Sequence, residues 1–293
     1  GLRRGTEVAN LNEVDLRQFD SIVVTPGLPL NRHPIARRAR EAGVEIIGDI
    51  ELSARARAEL PPHKVVGITG TNGKSTTTAL VHHILKTACV PAAMGGNIGL
   101  PILAQDPLTP NDKGVGVYVL ELSSYQLDLT KSLDCDVAVL LNITPDHLDR
   151  YDSFEGYAKS KLRLLQMQSS GHAVIGQSSE YARDFFYEHR GNPSKVGHGF
   201  PVASFGIDAL DGYPQNEFPA LQGPHNAENA AAAVFAALWL RVPDDTVQRA
   251  LRTYPGLPHR MERIREKGGI LYVNDSKATN PTGTAPALAA FEK

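Results

Sequence analysis

The sequence predicts an α/β fold with a mostly parallel sheet flanked by helices. Two observations carry this. Apolar, β-branched segments alternate with segments of helical periodicity along most of the chain. Residues 67–78, GITGTNGKSTTT, place a glycine-rich turn at one of these strand-to-helix junctions. A low aromatic content, 6%, with frequent Ala, Gly and Val agrees with helices packed closely on a sheet.

The elements follow in order. Residues 21–25 read as a strand, 34–42 as a helix, 44–47 as a strand and 51–57 as a short helix. Pro61-Pro62 then reads as a linker. The next block runs from 64 to about 256. Its strands are 64–69, 115–122, 137–142 and 172–175, and its helices 74–87, 154–166, 226–239 and 244–253. Strands alternating with helices call for parallel pairing through crossover helices. The run AAAAVFAA at 230–237 reads as a tightly packed buried helix. Tyr254-Pro-Gly-Leu-Pro is a second joint, and strand 270–274 begins a third unit. The expected division is 1–60, 61–257 and 258–293. The chain opens without Met and stops inside a helical pattern that starts near Gly283, so a fragment is expected.

Composition excludes several classes. The formal net charge is −2, so no basic face invites nucleic acid. No run of 18 apolar residues and no N-terminal signal pattern places the chain in a membrane. Cys89 and Cys135 lack metal spacing and read as buried thiols of a reducing cytoplasm.

The chemistry centres on 67–78. A turn between strand and helix aims backbone N–H groups and the helix dipole at one spot, which suits a phosphate. Gly70 and Gly73 let the backbone curl close, with Thr71 and Asn72 between them and Thr76 in the first helical turn. Lys74 can reach β/γ-phosphates, and the Ser75 hydroxyl can bind Mg²⁺. The motif is shorter than the generic loop, whose first glycine would fall at Ile68. The plainer alternative is a glycine-rich turn with an incidental lysine.

Further polar groups follow strand ends, where open parallel sheets bind ligands. Glu121, in ELSSYQL, can coordinate a metal or stand as a surface carboxylate. His147, five residues past strand 137–142, can be a ligand or a hydrogen-bonding loop residue. Lys159 and Lys161 read on sequence alone as solvated lysines. Asn226 and Asn229 share a helix face at i,i+3. Arg260 can meet an anion, stack on a base or close a helix-end salt bridge. Asp275 and Lys277 lie in a dense polar turn after strand 270–274.

In this order, GTNGKS, GGNIGLP, ELSSYQL, NITPDHLDRY, YAKSKL, GPHNAENA, GLPHRME and NDSKATN resemble the Mur ligases. Thr25-Pro-Gly-Leu and Gly48-Asp-Ile-Glu-Leu resemble the D-glutamate-adding branch of that family, and the likeness covers nearly the whole chain. The resemblance implies a P-loop central domain, preceded by part of a Rossmann-like domain and followed by the start of a second one. It implies a cytoplasmic monomer that uses ATP and Mg²⁺ to join D-glutamate to UDP-N-acetylmuramoyl-L-alanine (UDP-MurNAc-L-Ala) through an acyl phosphate.

By the same resemblance, Lys74 neutralises the γ-phosphate. Ser75 and Glu121 hold one Mg²⁺, and Glu121 and His147 a second. Lys161 matches a carbamylated lysine that can itself coordinate metal. Asn229, Arg260 and Asp275 hold the nucleotide. Asn97, Ser123 and His147 contact the muramoyl-alanine end, and Lys277 and Thr279 face glutamate. The family's N-terminal glycine-rich loop and most of its C-terminal domain are missing, so the fragment is expected to bind nucleotide but turn over poorly. An L-glutamate-adding or folylpolyglutamate-type ligase and a non-catalytic ATP-binding module are the alternatives. The two metal sites argue against the module.

Overall fold

The computed structural model describes residues 7–189, 202–206, 210–278 and 280–290. At the N-terminus, β1 (Ser21–Val23), α1 (Pro34–Ala42), β2 (Glu45–Ile47) and α2 (Asp49–Arg55) form a small unit with β1 and β2 parallel. The sequence itself bounds α1. The His33 ring accepts from Ile35 N, Pro34 sits in the first turn, and Gly43 ends the helix at φ 70°.

The central sheet begins with β3 (His63–Thr69), which leads into α3 (Lys74–Thr87). There follow β4 (Ala92–Gly96), β5 (Gly116–Glu121), α4 (Ser124–Asp128), β6 (Val137–Leu140), α5 (Phe154–Gln166), β7 (His172–Gly176), α6 (Glu180–His189) and β8 (Val202–Phe205). The strand order is β4-β5-β3-β6-β7-β8, all parallel. β3 lies between β5 and β6, where the winding changes direction. In such sheets the ligand crevice opens beyond that point.

Two helices, α7 (Pro224–Trp239) and α8 (Asp244–Thr253), cover one face with α3. The other face packs against α4 and α5. Burial on both faces explains why β3 and β5 are nearly continuous apolar runs. The expected buried helix at 230–237 is present: Ala230, Ala231, Ala232, Ala233, Ala236 and Ala237 are fully buried, with small side chains that let α7 lie against α3.

Three expectations need correction. First, β4 and β8 go unread in the sequence: both are edge strands, and β4 is Ala-Ala-Met-Gly-Gly, which carries little strand propensity of its own. Second, the third unit opens one strand earlier than expected. β9 (Glu262–Lys267) pairs antiparallel with β10 (Ile270–Asn274) through Gly268 and Gly269, both with positive φ, before α9 (Pro281–Ala289). Third, Cys135 is buried but Cys89 is exposed, because it follows the last turn of α3 in a left-handed conformation, φ 58°.

Candidate active site at the end of the third strand

Beyond β3 the chain turns through 70–73 into α3. Gly70 (φ 154°) and Gly73 (φ 87°) both occupy backbone conformations that L-residues avoid. A Cβ on Gly73 would stand 2.1 Å from Asn229 Oδ1, so α7 presses directly on the loop. The segment after β6 holds the other side. Asn142 O accepts from Thr71 N at 2.9 Å, and Asn142 Oδ1 accepts from Asn72 N at 2.9 Å. Thr71 Oγ1 donates to Thr144 O at 3.1 Å and accepts from Thr144 N at 3.0 Å. Sequence reasoning passed over Asn142; its signal was its place at a strand exit.

Two ammonium groups converge on this loop. Lys74 Nζ donates to Gly70 O at 2.9 Å and to Thr71 O at 2.8 Å. Lys161 Nζ, on α5, donates to Gly70 O at 2.7 Å. Burial holds both amines below the ordinary lysine range, and the neighbouring Lys74 charge lowers Lys161 further. Only 2% of Lys161 is exposed, whereas Lys159 is exposed as expected. Lys161 Nζ lies 4.7 Å from the centre of the Tyr157 ring. Tyr157 OH is 3.1 Å from Thr71 Oγ1, so this buried tyrosine, one helical turn before Lys161, supports the loop as well. The i,i+4 spacing was the signal for it.

Glu121 ends β5 and is 2% exposed. Its Oε1 accepts from Asn97 Nδ2 at 3.0 Å, while Oε2 is buried with no protein partner. A buried carboxyl oxygen left so is costly unless a cation or donor meets it. Ser75 Oγ, at the start of α3, accepts from Arg260 Nη2 at 2.9 Å. Asn229 Nδ2 donates to Asn226 Oδ1 at 3.1 Å, which bears out the shared face, and Thr77 Oγ1 donates to Asn229 Oδ1 at 3.3 Å. Asp275 Oδ1 accepts from Met261 N at 3.1 Å, tying the turn after β10 to the segment that carries Arg260.

These groups line one cleft of about 220 Å³: Thr71, Asn72, Gly73, Lys74, Ser75 and Thr76 on the loop side, with Asn97, Glu121, Asn229, Arg260, Asp275 and Lys277 around them. His225 and Tyr254 line it too and were not read from the sequence. Four expected residues stand outside its wall. Gly70 faces the lysines. Lys161 lies behind the loop. Ser123 caps α4, where its hydroxyl accepts from Gln126 N. His147 lies in an exposed loop in a left-handed conformation, φ 53°, its ring against Tyr125 and Tyr157. Thr279 lies outside the described residues. Among the described residues no three His, Cys, Asp or Glu side chains are grouped to hold a metal. No helix among them is long and apolar enough to cross a membrane.

A parallel sheet with a glycine-rich phosphate loop at its switch point defines a P-loop α/β protein. Comparison with known proteins narrows this. Residues 68–237 match the Mur ligase middle domain, and the chain belongs to the Mur ligase family. It is 58% identical over 287 residues to the UDP-N-acetylmuramoylalanine–D-glutamate ligase of Novosphingobium aromaticivorans, covering 98% of this chain and 62% of that protein. It is 54% identical over 281 residues to the Zymomonas mobilis ligase of the same name, covering 94% and 61%. The chain therefore spans about three-fifths of the length of these relatives. Among solved structures, MurF from Acinetobacter baumannii has the same fold at a TM-score of 0.63 and 18% identity, covering 94% of this chain and 70% of that one. MurF from Thermotoga maritima, solved with ADP, aligns at 0.61 and 18%, covering 89% and 69%.

Proposed function

We propose that this chain carries the nucleotide-binding and phosphoryl-transfer core of an ATP-dependent ligase that adds D-glutamate to UDP-MurNAc-L-Ala in peptidoglycan precursor synthesis. One observation carries the reading. A phosphate loop, a half-buried and a buried lysine, and a buried carboxylate with an unpartnered oxygen meet at the end of β3. They do so in a chain 58% identical to a relative of that name.

In such a reaction the substrate carboxylate takes the γ-phosphoryl group of ATP. The glutamate amine attacks the acyl phosphate, and the tetrahedral adduct expels phosphate to leave an amide. The loop N–H groups and the α3 N-terminus would cradle the phosphates. Lys74 would exchange its carbonyl partners for the γ-phosphoryl oxygens, and Arg260, beside Ser75, would counter charge that builds as the group moves. Asn229 would meet the base and Asp275 the ribose. Asn97, Ser123 and His147 would meet the muramoyl-alanine end, and Lys277 and Thr279 the amino acid.

The donor set fits a hard cation: a hydroxyl at Ser75 and a carboxylate oxygen at Glu121 without a protein partner. Ser75 and Glu121 would hold one Mg²⁺, and Glu121, His147 and a carbamylated Lys161 a second. Bound Mg²⁺ would neutralise charge on the transferring phosphoryl group. Burial beside Lys74 favours the neutral Lys161 amine, the form that adds CO₂. In this reading 61–257 is the ATP-binding domain, 1–60 belongs to a UDP-substrate domain, and 258–293 begins the domain that closes the site. The protein would act as a cytoplasmic monomer.

The test is a chimera in which this chain replaces the matching part of the N. aromaticivorans ligase. Phosphate release is measured with ATP, Mg²⁺ and UDP-MurNAc-L-Ala, adding D-glutamate, L-glutamate or neither. Release that depends on D-glutamate is expected. Dependence on L-glutamate alone would move the chain to a sister specificity. ATP binding without amino-acid dependence would leave a nucleotide-binding module.

A further inference from the structure

Two stretches singled out in the sequence, Thr25-Pro-Gly-Leu and NITPDHLDRY, meet at one side chain. Arg150, half-buried, spans from the loop after β6 to the loop after β1. Its guanidinium donates to Gly27 O at 3.2 Å, to Pro26 O at 3.2 Å and also to Leu28 O. One planar fork thus collects three successive carbonyls, which a lysine ammonium could not match in geometry.

The same guanidinium lies over the Tyr125 ring, 4.4 Å from its centre. Tyr125 in turn touches the His147 ring, with centroids 5.2 Å apart. Arg150 N also donates to His147 O at 2.9 Å, closing the turn that holds His147 at positive φ. The cluster is anchored further by Tyr151. Its ring stacks on Tyr125 at 6.1 Å, and its hydroxyl donates to Asp128 Oδ2 at 2.8 Å.

The placement of both ends matters. The 25–28 loop lies at the C-terminal end of β1 in a parallel strand pair, the end at which such sheets take ligands. His147 lies past the C-terminal end of β6, on the side of the phosphate loop. Arg150 therefore links the ligand-binding edge of the small N-terminal unit to the orientation of one imidazole beside the central cleft. Because the same side chain touches the aromatic that packs on that ring, a change at Arg150 reaches both loops at once.

We propose that Arg150 is a positioning residue: it sets the register between the 25–28 loop and the His147 loop and holds the His147 ring through Tyr125. The proposal rests on the functional reading above for its catalytic consequence, though not for its structural one. Small misplacements of reacting groups cost up to about 100-fold in rate.

The experiment has two arms. In the chain itself, carbon-13 histidine NMR follows the His147 ring, assigned with His147→Gln, in wild type, Arg150→Ala and Arg150→Lys. Arg150→Ala should shift the His147 resonance and leave the other histidine signals in place. In the chimera, Arg150→Ala should lower kcat/KM for UDP-MurNAc-L-Ala by about 10- to 100-fold. The Kd for ATP should stay within about twofold, and Arg150→Lys should recover part of the loss.

An unmoved His147 resonance would overturn the proposal. So would ATP affinity and thermal stability falling in parallel with activity, which marks general destabilisation. If the wild-type chimera has no ligase activity, the functional reading fails, and the NMR arm still decides whether Arg150 positions His147.

Discussion

Gly73→Ala is the sharpest test of how the loop is built. The left-handed conformation at φ 87° costs an L-residue about 1–2 kcal/mol. The new Cβ would stand 2.1 Å from Asn229 Oδ1, so the amide must move. Moving it breaks the hydrogen bonds with Thr77 and Asn226, about 1 kcal/mol each. The sum is about 3–4 kcal/mol, read as a lower urea midpoint with an unchanged slope. Asn229→Ala alone should cost about 2 kcal/mol for the same two bonds. The double variant should then cost little more than Gly73→Ala, since the clash and the bonds share one side chain. Gly73→Ala within about 0.5 kcal/mol of wild type, or strict additivity in the cycle, would refute this account of the loop.

Other outcomes follow from the same geometry. Glu121→Gln keeps an acceptor for Asn97 but removes the charge, so the chain should fold normally while Mg²⁺ enhancement of ATP binding drops at least ~10-fold, measured by calorimetry with and without the metal. Burial holds the Lys161 amine below its usual 10.5, so across that window the unfolded chain binds more protons and folding stability rises with pH. Stability of wild type minus Lys161→Met, from urea titrations in CO₂-free buffer, should therefore climb as pH rises toward 10.5; a flat difference would contradict the buried amine. Hydrogen bonds from Arg55 and then Lys131 hold Glu45 down to about 2. Its contribution, about 1 kcal/mol, is thus present above pH 4.5 and lost as pH falls toward 2. Glu45→Gln should be less stable than wild type near neutrality and equal to it at the acid end.

The legible parts of this molecule are those where local chemistry and burial agree. The buried strands and the phosphate loop state themselves, because β3 needs apolar residues on both faces and the loop needs Gly70 and Gly73. β4 is silent because its pairing with β5 supplies what Ala-Ala-Met-Gly-Gly lacks. Lys159 and Lys161 are the same residue type on the same helix, and only the turn of α5 sends one to solvent and the other to Gly70 O. Ser123 caps α4 through its hydroxyl, a local role that the sequence reading did not give it. Arg260 and Ser75 are 185 positions apart in sequence, and their contact depends on the whole path of the chain between them.

The alanine face of α7 acts as a spacer as much as a core. Asn226 and Asn229 ride on the first turns of that helix, and none of the alanines from 230 to 237 lines the cleft. Ala236 lies seven residues beyond Asn229, about 10 Å along the axis. A bulkier residue there would tilt the helix away from α3 and carry the two amides off the loop. Any selection on what the cleft holds would then keep methyl-sized side chains in a stretch outside its wall. Drift toward valine or leucine would surface first as weakened affinity in a protein that still folds.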